Sequence, residues 1–266
     1  MNGKRVAILT AVLTHLDPRS VERQLSYLRD LSPESAFVVC HGGSRSDFDA
    51  LESPHAIFIE DPSLRGPHYD KSLNDTLRVI YEDRVRDDPA VEFVYLIEYD
   101  HLILRADFHL SLAALGAQSG AGLFAKSASP RNDTNWEHYL RSREDQSLNR
   151  LIADLSCRDD PDLRWGCLGT GLLLRREALS AFCALPDLPP FYVESFIPTL
   201  IYHLGFEVVD IDTLGDLYRA VRWVPEFSPA QAIAAKRLGR TFVHPFKRSD
   251  ALGAIAASSG PLGSDS

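Results

Sequence analysis

Cysteine is scarce: Cys40, Cys157, Cys167 and Cys183 are the four in 266 residues, and no two form a Cys-x-x-Cys pair. That spacing points away from a zinc site and from a disulfide framework, so the thiols read as reduced and the protein as cytoplasmic. Long apolar runs are missing as well. No stretch nears the roughly 20 residues a membrane helix needs, so no integral membrane segment is expected. Met1-Asn2-Gly3-Lys4-Arg5 leads into a short strand-like run, not into the longer apolar core and cleavage site of a signal peptide. Basic residues are outnumbered, 28 against 37 acidic ones, for a formal net charge of −9. That balance points away from a nucleic-acid binder. No internal repeat and no clear linker divides the chain.

What remains is ordinary globular composition, 45% hydrophobic and 24% charged, with enough length for a sizeable core. The pivotal stretch is Phe93-Val94-Tyr95-Leu96-Ile97-Glu98-Tyr99-Asp100-His101. Five apolar residues in a row read as a strand buried on both faces of a parallel sheet. Side chains two apart on a strand point the same way, so Glu98 and Asp100 are expected together at its C-terminal end. Ligands bind at that end of open α/β sheets. Paired carboxylates repel, and a divalent cation relieves the repulsion while offering positions to phosphate oxygens. A strand ending in a solvated acidic turn is the alternative.

Around this stretch the first hundred residues alternate strand and helix. Val6 to Leu13 is expected as a strand, and Asp17-Pro18 as a cap opening a helix to about Leu31. Strands at 36–40 and 56–59 follow, then a helix from Asp70 to about Arg86 with Leu73, Leu77, Ile80, Tyr81 and Val85 on one face. The pattern predicts an α/β fold with a mostly parallel central sheet and helices on both faces. The second half is looser. A helix at 108–115, a strand at 121–125, a strand entered through Gly169-Thr170-Gly171, a helix at 192–204 closed by Gly205, a strand at 207–211 and a helix at 230–238 are expected. Residues 1–248 read as one domain, with a nucleotide-binding half at 1–101 and an acceptor-binding half at 102–248. The Ala, Gly and Ser content of 249–266 suggests a mobile tail.

The order of these motifs resembles glycosyltransferases of the GT-A fold. The nucleotide-binding half, the Glu98-Tyr99-Asp100 motif, the Gly-x-Gly strand, an acid at a helix start and a late histidine carry the resemblance over about residues 6–247. Glu in the first place departs from the family's Asp-x-Asp. The resemblance implies transfer of a hexosyl or N-acetylhexosaminyl group from a nucleotide-diphospho-sugar, with a UDP-sugar the leading donor, to an acceptor hydroxyl. It implies Mn²⁺ or Mg²⁺ held directly by Asp100, with Glu98 binding the metal through water or binding the donor ribose. His244, in Phe242-Val243-His244-Pro245-Phe246-Lys247, would complete the metal site, and a packed core histidine is the other reading. His101 is expected to face away.

Glu194 lies at a helix start, at or just before the cap, because Pro198 belongs in a first turn. There it is either a plain cap or the general base of an inverting reaction. Gly169 and Gly171 allow close backbone approach to a ligand, or merely turn the strand. Thr10, Ala11 and Val12 could pass beneath a base, Asp61 could bind base or ribose, and Arg65 and Lys71 could reach phosphates. Residues 219–248 are rich in Lys and Arg, with Lys247 the candidate for the pyrophosphate. Two alternatives stand beside the transferase. One is a nucleotidyltransferase that makes nucleotide-sugars, although Thr14-His15-Leu16-Asp17-Pro18 lacks the Gly-rich loop such enzymes carry after the first strand. The other is a noncatalytic nucleotide- or sugar-binding protein of the same fold.

Overall fold

The computed structural model of the protein describes residues 7–60, 72–132 and 134–258. The chain order is β1 (Ala7–Thr14), α1 (Pro18–Leu31), β2 (Ala36–His41), α2 (Arg45–Asp49), β3 (Ala56–Phe58), α3 (Asn74–Ile80), β4 (Val91–Glu98), β5 (Leu102–Ile103), α4 (Phe108–Gln118) and β6 (Leu123–Ala125). It continues with β7 (Ser129–Pro130), α5 (Glu137–Glu144), α6 (Gln146–Leu155), β8 (Trp165–Gly166), β9 (Leu172–Arg175), α7 (Arg176–Cys183) and α8 (Val193–His203). The last elements are β10 (Val208–Asp210), α9 (Pro229–Arg237), β11 (Phe242–Val243) and α10 (Leu252–Ala257).

Seven strands form the central sheet in the order β10-β6-β9-β4-β1-β2-β3. Every neighbouring pair is parallel except those made by β9, which runs against both β4 and β6. This is the mostly parallel α/β sheet that the strand–helix alternation predicts. β4 sits at its middle, and its two faces explain its unbroken apolar run. Val94 and Leu96 join one core with Leu9, Leu77, Leu172, Leu179 and Phe196. Phe93, Tyr95 and Ile97 join the other with Val12, Phe108, Leu112, Leu173 and Phe242. Each such side chain, fully buried, stabilises the fold by about 1.5–3 kcal/mol relative to exposure.

Local chemistry sets the element ends. The Asp17 carboxylate accepts from Ser20 N–H at 3.1 Å and Pro18 occupies the first turn, so α1 starts where the cap requires. The helix expected from Asp70 starts later. Leu73 has a left-handed φ of 61°, which no helix can include, so α3 opens at Asn74 and passes into a π-helical turn at Tyr81–Val85. The first part of the expected tail is helical. Ser249–Ala251 forms a 3₁₀ turn and α10 follows, with Leu252 and Ile255 buried against the core that holds α9. The Lys236 ammonium donates to the carbonyls of Ile255 and Ala256 at 2.7 and 3.1 Å. Two apolar residues at helical spacing suffice to dock a segment whose average composition is bland. Residues 259–266 lie outside the described residues.

Candidate functional site

β4 ends at Glu98. Asp100 follows in a turn closed by His101 N–H donating to Glu98 C=O at 2.9 Å. The two carboxylates meet through that turn, not through strand pleating. β11 runs antiparallel to the short β5 just beyond the turn, and this pairing delivers His244 to the same place. Phe246 N–H donates to Asp100 C=O at 2.8 Å and fixes the two segments together. Ligand atoms of Glu98, Asp100 and His244 consequently lie within 4.8 Å of one another.

This trio has donor atoms that could hold a cation. His244 Nδ1 is 2.7 Å from the carbonyl oxygen of Arg222, which can only accept, so Nδ1 carries the proton. With Nδ1 so engaged, His244 turns Nε2 toward Asp100 Oδ1 at 3.3 Å. Oδ1 is buried and accepts no hydrogen bond among the described residues. Two electron-rich atoms at that separation repel unless a cation or a proton lies between them. Ligands about 2.1 Å from an octahedral ion stand about 3 Å apart, so the observed spacing fits two ligands of one Mg²⁺-sized ion. The two carboxylates suit Mn²⁺ or Mg²⁺, and a backbone carbonyl behind the histidine is the outer contact that metal-holding histidines use. His101 faces away into the core and is not of this set. Burial, with His244 beside it, holds its imidazole well below the usual value.

The trio opens into a cavity of about 390 Å³, lined also by Thr170, Gly169, Glu194, Tyr192, Glu226 and Lys247. Glu194 is in the first turn of α8 but inside the helix, one residue after Val193, and Pro198 is an interior residue rather than a first-turn one. This corrects the expected placement. Pro198 lacks the N–H that would bond the carbonyl of Glu194 four residues earlier. Cys167 N–H takes that carbonyl instead, at 2.9 Å. Gly169 N–H donates to Glu194 Oε1, also at 2.9 Å, and Thr199 Oγ1 accepts from Trp165 N–H. The segment before β9 is thereby fastened to α8, and the Glu194 carboxylate is held at the cavity wall.

The two glycines have different duties. A Cβ on Gly169 would stand 3.0 Å from Glu194 Cγ, so its smallness admits the glutamate. Gly171 has a φ of +72°, and a Cβ there would come within 2.7 Å of Tyr218 and 3.0 Å of His101. Its smallness serves the core beneath the site, not a ligand above it.

Thr10, Ala11 and Val12, expected beneath a base, are buried in mid-strand, because β1 runs on to Thr14 before it reaches the sheet edge. Asp61, Arg65 and Lys71 lie outside the described residues. The basic stretch is dispersed. Arg219 pairs with Asp216, Arg248 with Asp250, and Lys236 with the end of α10. Lys247 alone of these four borders the cavity. Sequence reading missed Tyr192 and His138, whose rings stack at 3.7 Å on the cavity wall, along with Glu226 and the exposed Trp223 at its rim. No spacing rule singles these residues out. The four cysteines form no disulfide, and burial pushes the Cys40 thiol up to about 12. Among the described residues no helix is long and apolar enough to cross a membrane.

No family model matches the chain, and no curated protein does. Solved structures give distant likenesses. A structure described only as a mycobacterial protein is 16% identical over 71% of this chain, with a TM-score of 0.38, and the chain spans 59% of its length. Glucosyl-3-phosphoglycerate synthase from Mycobacterium tuberculosis in complex with phosphoglyceric acid is 15% identical, with 81% of this chain and 77% of that one covered and a TM-score of 0.40. Likeness at this level carries no inference about activity.

Proposed function

We propose that the protein is a metal-dependent glycosyltransferase of GT-A type that moves a sugar from a nucleotide-diphospho-sugar, with a UDP-sugar as the leading donor, to an acceptor hydroxyl. The observation that carries this reading is the meeting of Glu98, Asp100 and His244 at the C-terminal tip of the central strand, with His244 Nε2 and Asp100 Oδ1 face to face. Asp100 and His244 would hold Mn²⁺ or Mg²⁺, with Glu98 as third ligand or water-mediated partner. The ion would offset the charge that builds on the departing diphosphate.

The chain's own residues supply the remaining roles in this reading. Glu194, fixed by Gly169 N–H, presents a carboxylate to the cavity. It takes the proton of the acceptor hydroxyl as that oxygen attacks the sugar carbon opposite the leaving group, the inverting outcome. Lys247 at the cavity border supplies a positive charge for a phosphate oxygen. The Tyr192–His138 stack walls the cavity on the side of α5.

The test is incubation with Mn²⁺ and a panel of nucleotide-sugars. Slow release of nucleoside diphosphate, lost in Asp100→Asn, is the expected result. Release of pyrophosphate would make the protein a nucleotidyltransferase. Tight UDP binding without turnover would make it a noncatalytic binder.

A further inference from the structure

Beneath the β4 tip lies a run of hydrogen bonds in which every proton has one possible owner. Tyr95, Tyr218, His101 and Thr170 are all at most 1% exposed. The carbonyl of Gly171 has no hydrogen to give, so the Tyr218 hydroxyl donates to it at 2.7 Å. That commits its only hydrogen. The Tyr95 hydroxyl, 2.9 Å from that of Tyr218, must therefore be the donor between the two. Tyr95 then has none left for His101 Nε2 at 2.9 Å, so Nε2 carries the ring proton and donates to Tyr95. The imidazole is packed among Tyr95, Tyr218, Phe242 and His244, where burial favours the neutral ring. Bare Nδ1 accepts the Thr170 hydroxyl over a longer 3.4 Å. Thr170 Oγ1 accepts in turn from the N–H of Glu98 at 3.1 Å.

The run thus starts on the main chain of a candidate metal-holding residue and ends on the carbonyl of Gly171. His101 lies between, its ring centroid 5.9 Å from that of His244. We propose that Tyr218, acting through Tyr95 and His101, is a positioning residue for the candidate cation site. It fixes His101 as the Nε2–H tautomer and, through Thr170, holds the backbone at Glu98. The proposal rests on Glu98, Asp100 and His244 being the metal-holding set. Gly171 is the residue that lets the run close, because a side chain there would displace Tyr218.

Removing the last hydroxyl has a specific consequence. In Tyr218→Phe the Tyr95 hydrogen loses its acceptor and turns to His101 Nε2. The ring proton then moves to Nδ1 and donates to Thr170. Nitrogen-15 NMR of histidine-labelled, metal-free protein reads this switch directly. Mn²⁺ titration of the same variant should show a weaker affinity, by less than the roughly 10- to 100-fold that losing a direct outer contact of a metal ligand costs. An unchanged tautomer, or a switched one with unchanged Mn²⁺ affinity, overturns the proposal. Thr170→Ser and Thr170→Val give a second test should the tyrosine variant fold poorly. Serine should keep wild-type Mn²⁺ affinity and valine lose it, and equal behaviour of the pair counts against the relay. A wild-type protein that binds no Mn²⁺ refutes the cation reading itself, while the tautomer comparison still decides whether the proton order is right.

Discussion

Cys167 donates its N–H to the carbonyl of Glu194, the very carbonyl that Pro198 leaves without a helical partner. A proline inside a helix costs about 3 kcal/mol where nothing replaces the lost bond. Here a neighbouring segment replaces it. The irregularity at Pro198 is thus what ties α8 to the chain before β9 and puts the glutamate against the cavity.

If Glu194 is the base, Glu194→Gln should lower kcat by about 10²- to 10⁴-fold. Glutamine's side-chain oxygen can still accept from Gly169 N–H, so thermal stability and Mn²⁺ binding should stay near wild type. Steady-state kinetics beside a melting curve check this, and a variant with wild-type kcat removes Glu194 from the chemistry.

Mn²⁺ should raise the unfolding temperature. Binding to the folded state alone adds about 2.7 kcal/mol at a metal concentration 100 times Kd. Chelation with EDTA should reverse the shift, and Asp100→Asn and His244→Ala should abolish it. A shift that persists in both variants places the ion elsewhere.

The two glycines should separate stability from activity. Gly171→Ala forces a side chain to a φ of +72° and into Tyr218, so it should cost roughly 2 kcal/mol or more. Gly169→Ala meets the Glu194 side chain at 3.0 Å and Val193 Cγ1 at 3.2 Å, and should cost about 1 kcal/mol while displacing the carboxylate. A displacement of that kind can lower turnover by tens- to a hundred-fold. Denaturant melts and donor turnover on both variants give the comparison, and equal stability losses contradict the assigned roles.

His203 should make the fold acid-sensitive. Its Nε2–H donates to Leu163 C=O at 2.9 Å, its Nδ1 lies 2.9 Å from Ser156 Oγ, and burial holds the imidazole below the usual value. A lowered folded pKa means that the unfolded chain binds the proton more tightly. The contribution is whole above the unfolded value of about 6.5 and falls as pH drops below it, by at most about 1.4 kcal/mol per pH unit. Urea midpoints measured on either side of that value should differ more for wild type than for His203→Gln. Parallel pH dependence in the two proteins would show that this histidine is not responsible.

Much of the sheet was legible because periodicity is a local signal. The apolar run of β4 and the Asp17-Pro18 cap of α1 each fix their element without help from distant residues. The convergence of Glu98, Asp100 and His244 was only partly legible. The acids lie two apart, but the histidine arrives through β11 pairing with β5, a contact of long sequence separation. The depth of Thr10 to Val12 is not legible, because an apolar strand does not announce which of its residues reaches the sheet edge. Glu194 was placed at the cap on the rule that proline avoids helix interiors, and Cys167 supplies the exception. The docking of α10 is not legible, because composition averages over Leu252 and Ile255.

β9 runs counter to its neighbours, and one result concerns the hollow beside it. A chain entering that strand comes in over the C-terminal edge of β4, pairing Leu172 with Leu96 first and Arg175 with Phe93 last. The chain just before β9 is therefore laid along the wall of the hollow. Residues 156–164 stand apart from that wall, and their bonds to Tyr202, His203 and Phe206 make them part of the scaffold. Leu168, Gly169 and Thr170 are the residues before β9 that shape the hollow, and none of them carries a rung of the central ladder.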